Sequence, residues 1–235
     1  MRGDAGRSGY SHRSRCSWHS ADVAATFCFV DLAGFTALTE AHGDHAAADL
    51  VARFGAAVEA ALQGDADLVD RIGDAVFLVG ANPDHMLRCI RRLWTKSIDE
   101  LDFPILHAGL HHGEAVLRGD RWIGTAVNLA ARVAAHARGG QALATAEVAA
   151  HASAAGIAVT SIGTTTLRNL LEPVELFALD LPSGHADYAI DPVCRMRVYP
   201  ESAPGHLRFA ERDFWFCSLQ CVGRFAASPA SYVPE

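Results

Sequence analysis

The chain has 235 residues, enough for one large domain or for a medium domain followed by a small one. Half of the residues are hydrophobic and a fifth are charged, which is the composition of an ordinary globular protein. The net charge of −7 disfavours nonspecific binding to nucleic acid or to an anionic membrane surface.

Neither a membrane span nor a secretory signal is predicted. No apolar run reaches the roughly 18–20 residues that a membrane-crossing helix needs, and the N-terminus lacks the apolar segment of a signal peptide. We therefore expect a cytoplasmic protein in which the six cysteines stay reduced. Clustered cysteines in such a compartment indicate metal ligands.

The N-terminus differs in composition from the rest of the chain. Residues 1–20 are rich in Ser, Arg, Gly and His and contain almost no aliphatic side chains, so we predict a disordered tail over residues 1–22. His12, Cys16 and His19 could form a metal tract, but a lone cysteine among serines and arginines is more typical of a tail.

Strands and helices alternate along the next 155 or so residues, as judged from their apolar periodicity. A buried strand over Ala24–Val30 precedes a helical region over Leu38–Leu62, which Gly43 and Asp44 interrupt early. The elements predicted after it are a hairpin (Leu68–Val69 and Ala75–Val79), a helix (Pro83–Trp94), a strand pair (Ile105–Leu110 and Glu114–Leu117), a helix (Thr125–Ala137), a strand (Ala142–Thr145), a helix (Glu147–Ala155) and a strand (Val174–Leu179). This alternation predicts an α/β sandwich in which helices cover one sheet.

A domain boundary is predicted near residue 184. The segment Leu181–His185 reads Leu-Pro-Ser-Gly-His, which is typical of a linker, and the sequence beyond it is dense in aromatics, cysteines and short turns. We predict a first domain over residues 23–182, a linker over 183–186 and a small module over 187–235.

Three motifs in the first domain carry polar residues suited to phosphate chemistry. Asp31 ends the first strand and a Gly-Phe-Thr turn follows it, Asp74 lies in the predicted hairpin, and Asn128 and Arg132 are one helical turn apart. Hard cations such as Mg²⁺ prefer carboxylate oxygens, and an arginine suits a phosphate. Each motif alone is equally explained as a capped turn, a hairpin turn or a surface charge.

In this order and spacing the three motifs resemble the catalytic domain of class III nucleotidyl (adenylate/guanylate) cyclases, over about residues 23–180. The resemblance implies a ferredoxin-like α+β sandwich and two Mg²⁺ or Mn²⁺ ions per active site. It implies metal binding by Asp31, Asp74 and the backbone carbonyl of Leu32. It also implies phosphate binding by the turn formed by Gly34, Phe35 and Thr36.

The same resemblance assigns roles to the helix that carries the third motif. Asn128 would orient the ribose and Arg132 would stabilise charge in the transition state, both on the nucleotide of a partner subunit. A homodimer with composite active sites is therefore expected. Arg168 is either a contact of the triphosphate or an exposed charge at a strand end. Three histidines before this helix are interpreted as structural: His107, His111 and His112.

Two positions depart from the family pattern for recognising the purine base. The family usually has Lys and Asp where this chain has Asp70 and Arg121, and a one-residue slip would bring Arg71 and Asp120 into their place. Without a slip, Asp70 could accept a hydrogen bond from the adenine amino group and Arg121 could donate to a ring nitrogen. We therefore expect ATP as the substrate in preference to GTP.

Segments Ala189–Val198 and Phe214–Cys221 resemble a YHS/TRASH-type metal-binding module. The spacing Cys-x22-Cys-x3-Cys sets three candidate ligands at Cys194, Cys217 and Cys221, and the residue after the first is Arg where the family has Gly. Three thiolates suit Zn²⁺ or Cu(I). His206 is the nearest candidate for a fourth ligand. The alternative is that the cysteines pack as small apolar core residues.

Together these features predict a nucleotidyl cyclase that converts ATP to 3′,5′-cyclic AMP and pyrophosphate. Metal binding at the C-terminal module is expected to modulate this activity. The alternative is a non-catalytic metal-sensing or metal-carrying protein that uses a degenerate cyclase domain to dimerise. Asp31, Asp74, Asn128 and Arg132 favour the enzyme, whereas the departures at the base-recognition positions favour the alternative.

Overall fold

The computed structural model describes residues 20–100, 102–182 and 188–233. The predicted linker over 183–186 lies outside the described residues, as do His12, Cys16 and His19. The first strand begins at Ser20, so it overlaps the last three residues of the predicted N-terminal tail.

An eight-stranded mixed sheet forms the centre of the larger domain, in the order β2-β3-β1-β4-β6-β8-β7 with β5 paired to β4. Only β4 and β6 run parallel among these pairs. The strands are β1 (Ser20–Leu32), β2 (Asp67–Ile72), β3 (Ala75–Gly80), β4 (Leu106–Arg118), β5 (Arg121–Ile123), β6 (Ala142–Thr145), β7 (Val159–Thr165) and β8 (Val174–Leu179).

Five helices cover this sheet, four on one face and one on the other. The helices are α1 (Phe35–His42), α2 (Asp44–Leu62), α3 (Pro83–Asp99), α4 (Thr125–His136) and α5 (Ala146–Ala154). Alternate residues of β1 enter two different cores. Val30 packs with α1, α2, α3 and α5, whereas Phe27 packs with α4 on the opposite face. The predicted α/β sandwich is therefore confirmed.

The sequence prediction was wrong for β4, and it missed the short strand β5 and the strand β7. The strand pair predicted around His111 and Gly113 is one continuous strand, β4, because β1 is long enough to pair with every residue from Leu106 to Arg118. Strand β7 was not predicted, since its side chains are mostly exposed and polar and it lies at the sheet edge, where no apolar alternation is needed. The break predicted at Gly43 is confirmed: this residue has φ +84° and separates α1 from α2.

The C-terminal segment contains two small hairpins and one helix, namely β9 (Ala189–Ile190) with β10 (Arg197–Val198), β11 (Gly205–Phe209) with β12 (Arg212–Phe216), and α6 (Leu219–Ala227). Its core is formed by Phe216 and Phe225 together with buried cysteines, and Ala41 of α1 belongs to the same cluster. The C-terminal module therefore shares its core with the larger domain.

Polar contacts also join the module to the larger domain. The buried Arg197 donates to the backbone carbonyls of Ser97 and Glu100 at the C-terminal end of α3, where the helix dipole favours a cation. Tyr199 donates to the carbonyl of Ile98, 3.4 Å away. Arg224 of α6 donates to a carbonyl of α1 over 2.9 Å. These contacts hold the module against α1 and α3.

No helix in the described parts of the chain combines the length and the apolar character that a membrane crossing needs.

Helix α4 approaches the sheet most closely at Gly109 of β4, where a side chain would overlap the backbone of Ala134. We predict that Gly109→Ala lowers the free energy of unfolding by about 1–3 kcal/mol, because an added methyl group would push α4 away from the sheet. Gly223→Ala is the control, since Gly223 lies in α6 with open space around it and should gain about 0.5–1 kcal/mol. Urea unfolding measures both; equal effects would contradict the close approach.

Candidate active site

The two carboxylates predicted to bind metal lie on neighbouring strands. Asp31, at the end of β1, pairs with Ala75 at the start of β3. Asp74 lies in the hairpin turn directly before Ala75 and is therefore next to the residue that pairs with Asp31. The alternation along β1 places Asp31 on the same face as Phe27 and Phe29, the face that α4 covers. Both carboxylates are half-buried.

The closeness of the two carboxylates changes the pKa of Asp74. Burial, the charge of Asp31 and a hydrogen bond with Asp31 together raise the pKa of Asp74 from 3.8 to about 6. The backbone amide of Leu32 donates to Asp31 Oδ1 over 2.9 Å, which orients that carboxylate. Two half-buried carboxylates that repel each other form a donor set that fits a hard divalent cation such as Mg²⁺ or Mn²⁺.

His107 also belongs to this site, although the sequence analysis interpreted it as structural. It pairs with Asp31 across β1 and β4, and its Nε2 lies 3.4 Å from Asp31 Oδ2. Burial lowers the pKa of His107, an effect that Asp74 opposes. Only the strand register places this residue beside Asp31, so no sequence spacing indicates it.

The other two histidines of β4 hydrogen-bond within the sheet. His111 Nδ1 is 2.8 Å from the hydroxyl of Thr145, and His112 Nδ1 is 2.9 Å from the hydroxyl of Thr26. These contacts agree with the structural role that the sequence analysis assigned to them.

The Gly34–Thr36 turn begins three residues after Asp31 and consists of the N-cap of α1 and its first two helical residues. Gly34 has φ +80° and precedes the helix without any side-chain cap, so the first N–H groups of α1 have no capping partner from a side chain. Gly34 and Thr36 are exposed. Free N–H groups and the positive end of the helix dipole favour an anion at this turn.

Asn128 and Arg132 both lie on α4, one turn apart as predicted. The buried residues of α4 face the sheet, whereas Asn128 is exposed and Arg132 is half-buried. Neither side chain hydrogen-bonds to Asp31 or Asp74 within the described part of the chain.

A cavity of about 350 Å³ brings the two predicted base-recognition residues together, since both Asp70 and Arg121 line it. The stacked rings of Phe29 and Phe77, with centroids 4.5 Å apart, form part of its wall. The cavity is lined by Phe29, Val69, Asp70, Ile72, Phe77, Asp120, Arg121, Trp122 and Val127.

The orientation of Arg71 shows which of the two neighbouring charges on β2 faces this cavity. Arg71 forms an ion pair with Glu59 of α2, with 2.5 Å between Arg71 Nη2 and Glu59 Oε1. A bulge in the pairing of β2 with β3 lies between Leu68 and Asp70. Of the two neighbouring charges on β2, Asp70 therefore lines the cavity, and Asp120 lines it together with Arg121.

Arg168 lies in the turn between β7 and β8 and is exposed. The preceding residue, Leu167, is buried against Val133 of α4 and Leu143 of β6. This turn therefore packs near the helix that carries Asn128 and Arg132.

The three cysteines of the C-terminal module lie together, as their spacing predicts, and His42 completes the group. Cys217 Sγ is 3.4 Å from Cys194 Sγ, 3.8 Å from Cys221 Sγ and 3.4 Å from His42 Nε2. Cys221 Sγ is 3.7 Å from the same imidazole nitrogen. All four ligand atoms lie within 4.8 Å of one another. We call these four residues the Cys3His cluster.

His206, which the sequence analysis considered as a fourth ligand, does not belong to this cluster. Its Nε2 is 2.9 Å from Asp213 Oδ1, within the β11–β12 hairpin. His42 was missed because it is the last residue of α1 and more than 150 positions before Cys194, and no spacing rule joins two such distant segments.

Hydrogen bonds from the thiols of Cys194 and Cys217 lower the pKa of Cys221 to about 2.

No family model matches the chain. An uncharacterised protein of Mycobacterium tuberculosis (strain H37Rv) is 36% identical over 137 residues, which cover 55% of this chain and 34% of that protein. A pH-sensitive adenylate cyclase of M. tuberculosis (strain CDC 1551) is 35% identical over 118 residues, covering 50% of this chain and 30% of that protein. The chain thus spans about a third of the length of the relatives it matches.

Solved structures that resemble this one are nucleotidyl cyclases. Adenylate cyclases of Trypanosoma brucei, solved in their monomeric state, give a TM-score of 0.63 at 21% identity, covering 68% of this chain and 89% of theirs. The adenylyl cyclase CyaB of P. aeruginosa gives 0.60 at 17% identity, covering 70% and 100%. The guanylate cyclase domain of RhGC from Catenaria anguillulae, solved with GTP, gives 0.61 at 14% identity, covering 70% and 100%. The larger domain of this chain therefore has the fold of adenylate and guanylate cyclase catalytic domains.

Proposed function

We propose that the chain is a nucleotidyl cyclase that converts ATP to 3′,5′-cyclic AMP and pyrophosphate. The observation that carries this proposal is the carboxylate pair of Asp31 and Asp74 beside the Gly34–Thr36 turn. An acidic pair that attracts cations and a turn that attracts anions lie next to each other, which suits a metal-bound triphosphate. The similarity to a pH-sensitive adenylate cyclase supports the same activity.

The proposed reaction forms a bond between the ribose 3′-oxygen and the α-phosphorus and breaks the bond from that phosphorus to the β-phosphate oxygen. Divalent ions held by Asp31, Asp74 and the carbonyl of Leu32 would neutralise phosphate charge and favour ionisation of the 3′-hydroxyl. The backbone N–H groups of the Gly34–Thr36 turn would bind the terminal phosphates, which depart as pyrophosphate. Positioning and charge stabilisation account for most catalysis of this kind.

Asn128 and Arg132 are proposed to act on the nucleotide of a partner subunit. Asn128 would orient the ribose, and the guanidinium of Arg132 would stabilise negative charge on the transferring phosphate. Neither residue hydrogen-bonds to Asp31 or Asp74 in the described part of the chain and Asn128 is exposed, which leaves both available to a second subunit. Ile72 and Ile123 are each 56% exposed near the cavity, and such apolar side chains are what a second subunit would cover. Arg168 is a further proposed contact of the triphosphate.

The preference for ATP rests on the charged groups of the cavity beside β2 and β5. Asp70 can accept a hydrogen bond from the adenine amino group, whereas it would repel the carbonyl oxygen at the same position of guanine. Arg121 can donate to a ring nitrogen. The stacked aromatic wall of Phe29 and Phe77 is suited to the flat face of a purine.

We predict cyclic AMP formation by the purified protein with Mn²⁺ or Mg²⁺ and ATP, with slower turnover of GTP. Asp31→Ala should abolish the activity because it removes a proposed metal ligand. Product formation measured by chromatography for each nucleotide separately tests both points. Equal turnover of the two nucleotides would contradict the role of Asp70 and Arg121. No product from either nucleotide would contradict the enzyme and favour a metal-binding scaffold.

We predict that two inactive variants restore activity when mixed. Arg132→Ala should lower kcat on the order of 100-fold or more, because it removes a charged donor to the transition state. A heterodimer of Asp31→Ala with Arg132→Ala keeps one complete site, so refolding the two together should recover part of the wild-type rate. Each variant refolded alone is the control. A mixture no more active than its components would contradict the composite site.

We predict that the protonation of Asp74 makes the free energy of unfolding depend on pH in magnesium-free buffer. Because its pKa rises from 3.8 to about 6 on folding, its contribution to stability is complete below pH 3.8 and is lost as the pH rises through about 6. Asp74→Asn should remove this loss, as should Mg²⁺, which favours the charged form. Urea unfolding across that pH range measures the effect, with Asp67→Asn on β2 as a control for losing one carboxylate. A pH profile unchanged by Asp74→Asn would refute the prediction.

A further inference from the structure

We propose that the Cys3His cluster binds one Zn²⁺ ion, with His42 of the cyclase domain as its fourth ligand. The ion would thereby join the C-terminal module to α1 and fix the Gly34–Thr36 turn at the other end of that helix. The metal site and the candidate active site would then be mechanically coupled. The coupling to turnover rests on the proposed function, whereas the metal site does not.

The distances within the cluster match a tetrahedral zinc site. With Zn–S bonds near 2.3 Å and Zn–N bonds near 2.0–2.1 Å, tetrahedral geometry requires sulfur pairs about 3.8 Å apart and sulfur–nitrogen pairs about 3.6 Å apart. Two of the three sulfur separations are 3.4 and 3.8 Å, and two of the three sulfur–nitrogen separations are 3.4 and 3.7 Å. The two remaining pairs, from Cys194 to Cys221 and to His42, lie within 4.8 Å. Four ligands of this type characterise closed structural zinc sites, whereas two or three thiolates alone would suit Cu(I).

The backbone around the cluster is held in place by one buried carboxylate. Asp191 accepts from the amides of Val193 and Cys194, at 2.8 and 3.3 Å, and its other oxygen accepts from the amide of Cys217 at 2.8 Å. It therefore links the two segments that carry the thiols. Ser218 caps α6 and accepts from the amide of Cys221. Such supporting hydrogen bonds preorganise ligands before a metal binds.

Both ends of α1 contact the module. His42, its last residue, enters the cluster, and Arg224 donates to the carbonyl of Glu40 in the last turn. At the other end, the side chain of Arg195 packs so closely on Gly34 that any larger residue at position 34 would overlap it. Arg195 directly follows the ligand Cys194 and has φ +64°, a conformation that is unfavourable for a non-glycine residue and depends on its surroundings.

Because α1 is short, the contacts at its two ends constrain the position of the whole helix. Its eight residues form about two turns, so a shift of His42 moves the whole helix and with it the N–H groups proposed to bind phosphate. Zinc would remove this freedom before the nucleotide arrives. Preorganisation of this kind lowers the cost of binding, so the zinc-loaded protein should have the lower KM for ATP.

Titration of the full-length protein with Zn²⁺, and with Co²⁺ as a spectroscopic probe, tests the site. The wild type should bind one ion per cluster and give the visible bands of tetrahedral cobalt with thiolate ligands. His42→Ala should lower zinc affinity on the order of 100-fold and change those bands, whereas His42→Cys should retain four-coordinate binding. His206→Ala, the matched histidine of the module, should match the wild type. Wild-type affinity and spectrum in His42→Ala would overturn the proposal.

Hydrogen exchange tests the coupling without using activity. Zinc should slow exchange of the α1 amides in the wild type but not in His42→Ala, and α5, which carries no residue of the cluster, should not respond. Unchanged α1 exchange would overturn the coupling. In an active protein, equal KM values with and without zinc would overturn the regulatory effect. Absence of any turnover would instead refute the proposed function and leave the cobalt and exchange results intact.

Discussion

The antiparallel pairing of β1 with β3 and β4 determines where the charged groups of the candidate active site lie. Asp31 is placed beside Asp74 on one side and opposite His107 on the other by the register of these three strands. A shift of one residue would turn Asp31 into the core that α2 and α3 cover. The site therefore depends on the apolar residues of β1, which hold the register by filling two cores at once.

Bringing Asp31 and Asp74 together costs folding energy, because two half-buried carboxylates repel each other. The pKa of Asp74, which burial and the charge of Asp31 raise, expresses this cost. The packing of Phe27, Phe29 and Phe77 on the same sheet face supplies a rigid apolar support that can sustain it. A cation bound between the two carboxylates would replace their mutual repulsion by attraction to the metal. Carboxylates that repel each other in the metal-free protein are therefore suited to a metal-dependent site.

The C-terminal module is attached to the larger domain by a shared core as well as by polar contacts. Ala41 of α1 packs with the aromatic residues of the module, and Arg197 is buried against the end of α3. A segment of this size has little core of its own, so docking on a larger domain and a metal site both compensate for it. Its position over α1 places it against the helix that begins at the Gly34–Thr36 turn.

The sequence by itself determined the α/β architecture, the bounds of α4, α5, β6 and β8 to within one residue, the acidic pair, the Asn128 and Arg132 spacing and the three cysteines. Those features depend on local periodicity, turn chemistry and short spacing, which are readable along one strand or helix. Only the tertiary structure decided that His107 lies beside Asp31, that Asp70 rather than Arg71 faces the cavity, and that His42 joins the cysteines. Each of these depends on strand register, on a bulge or on the docking of distant segments, and contacts between residues far apart in the chain leave no periodic signal in the sequence.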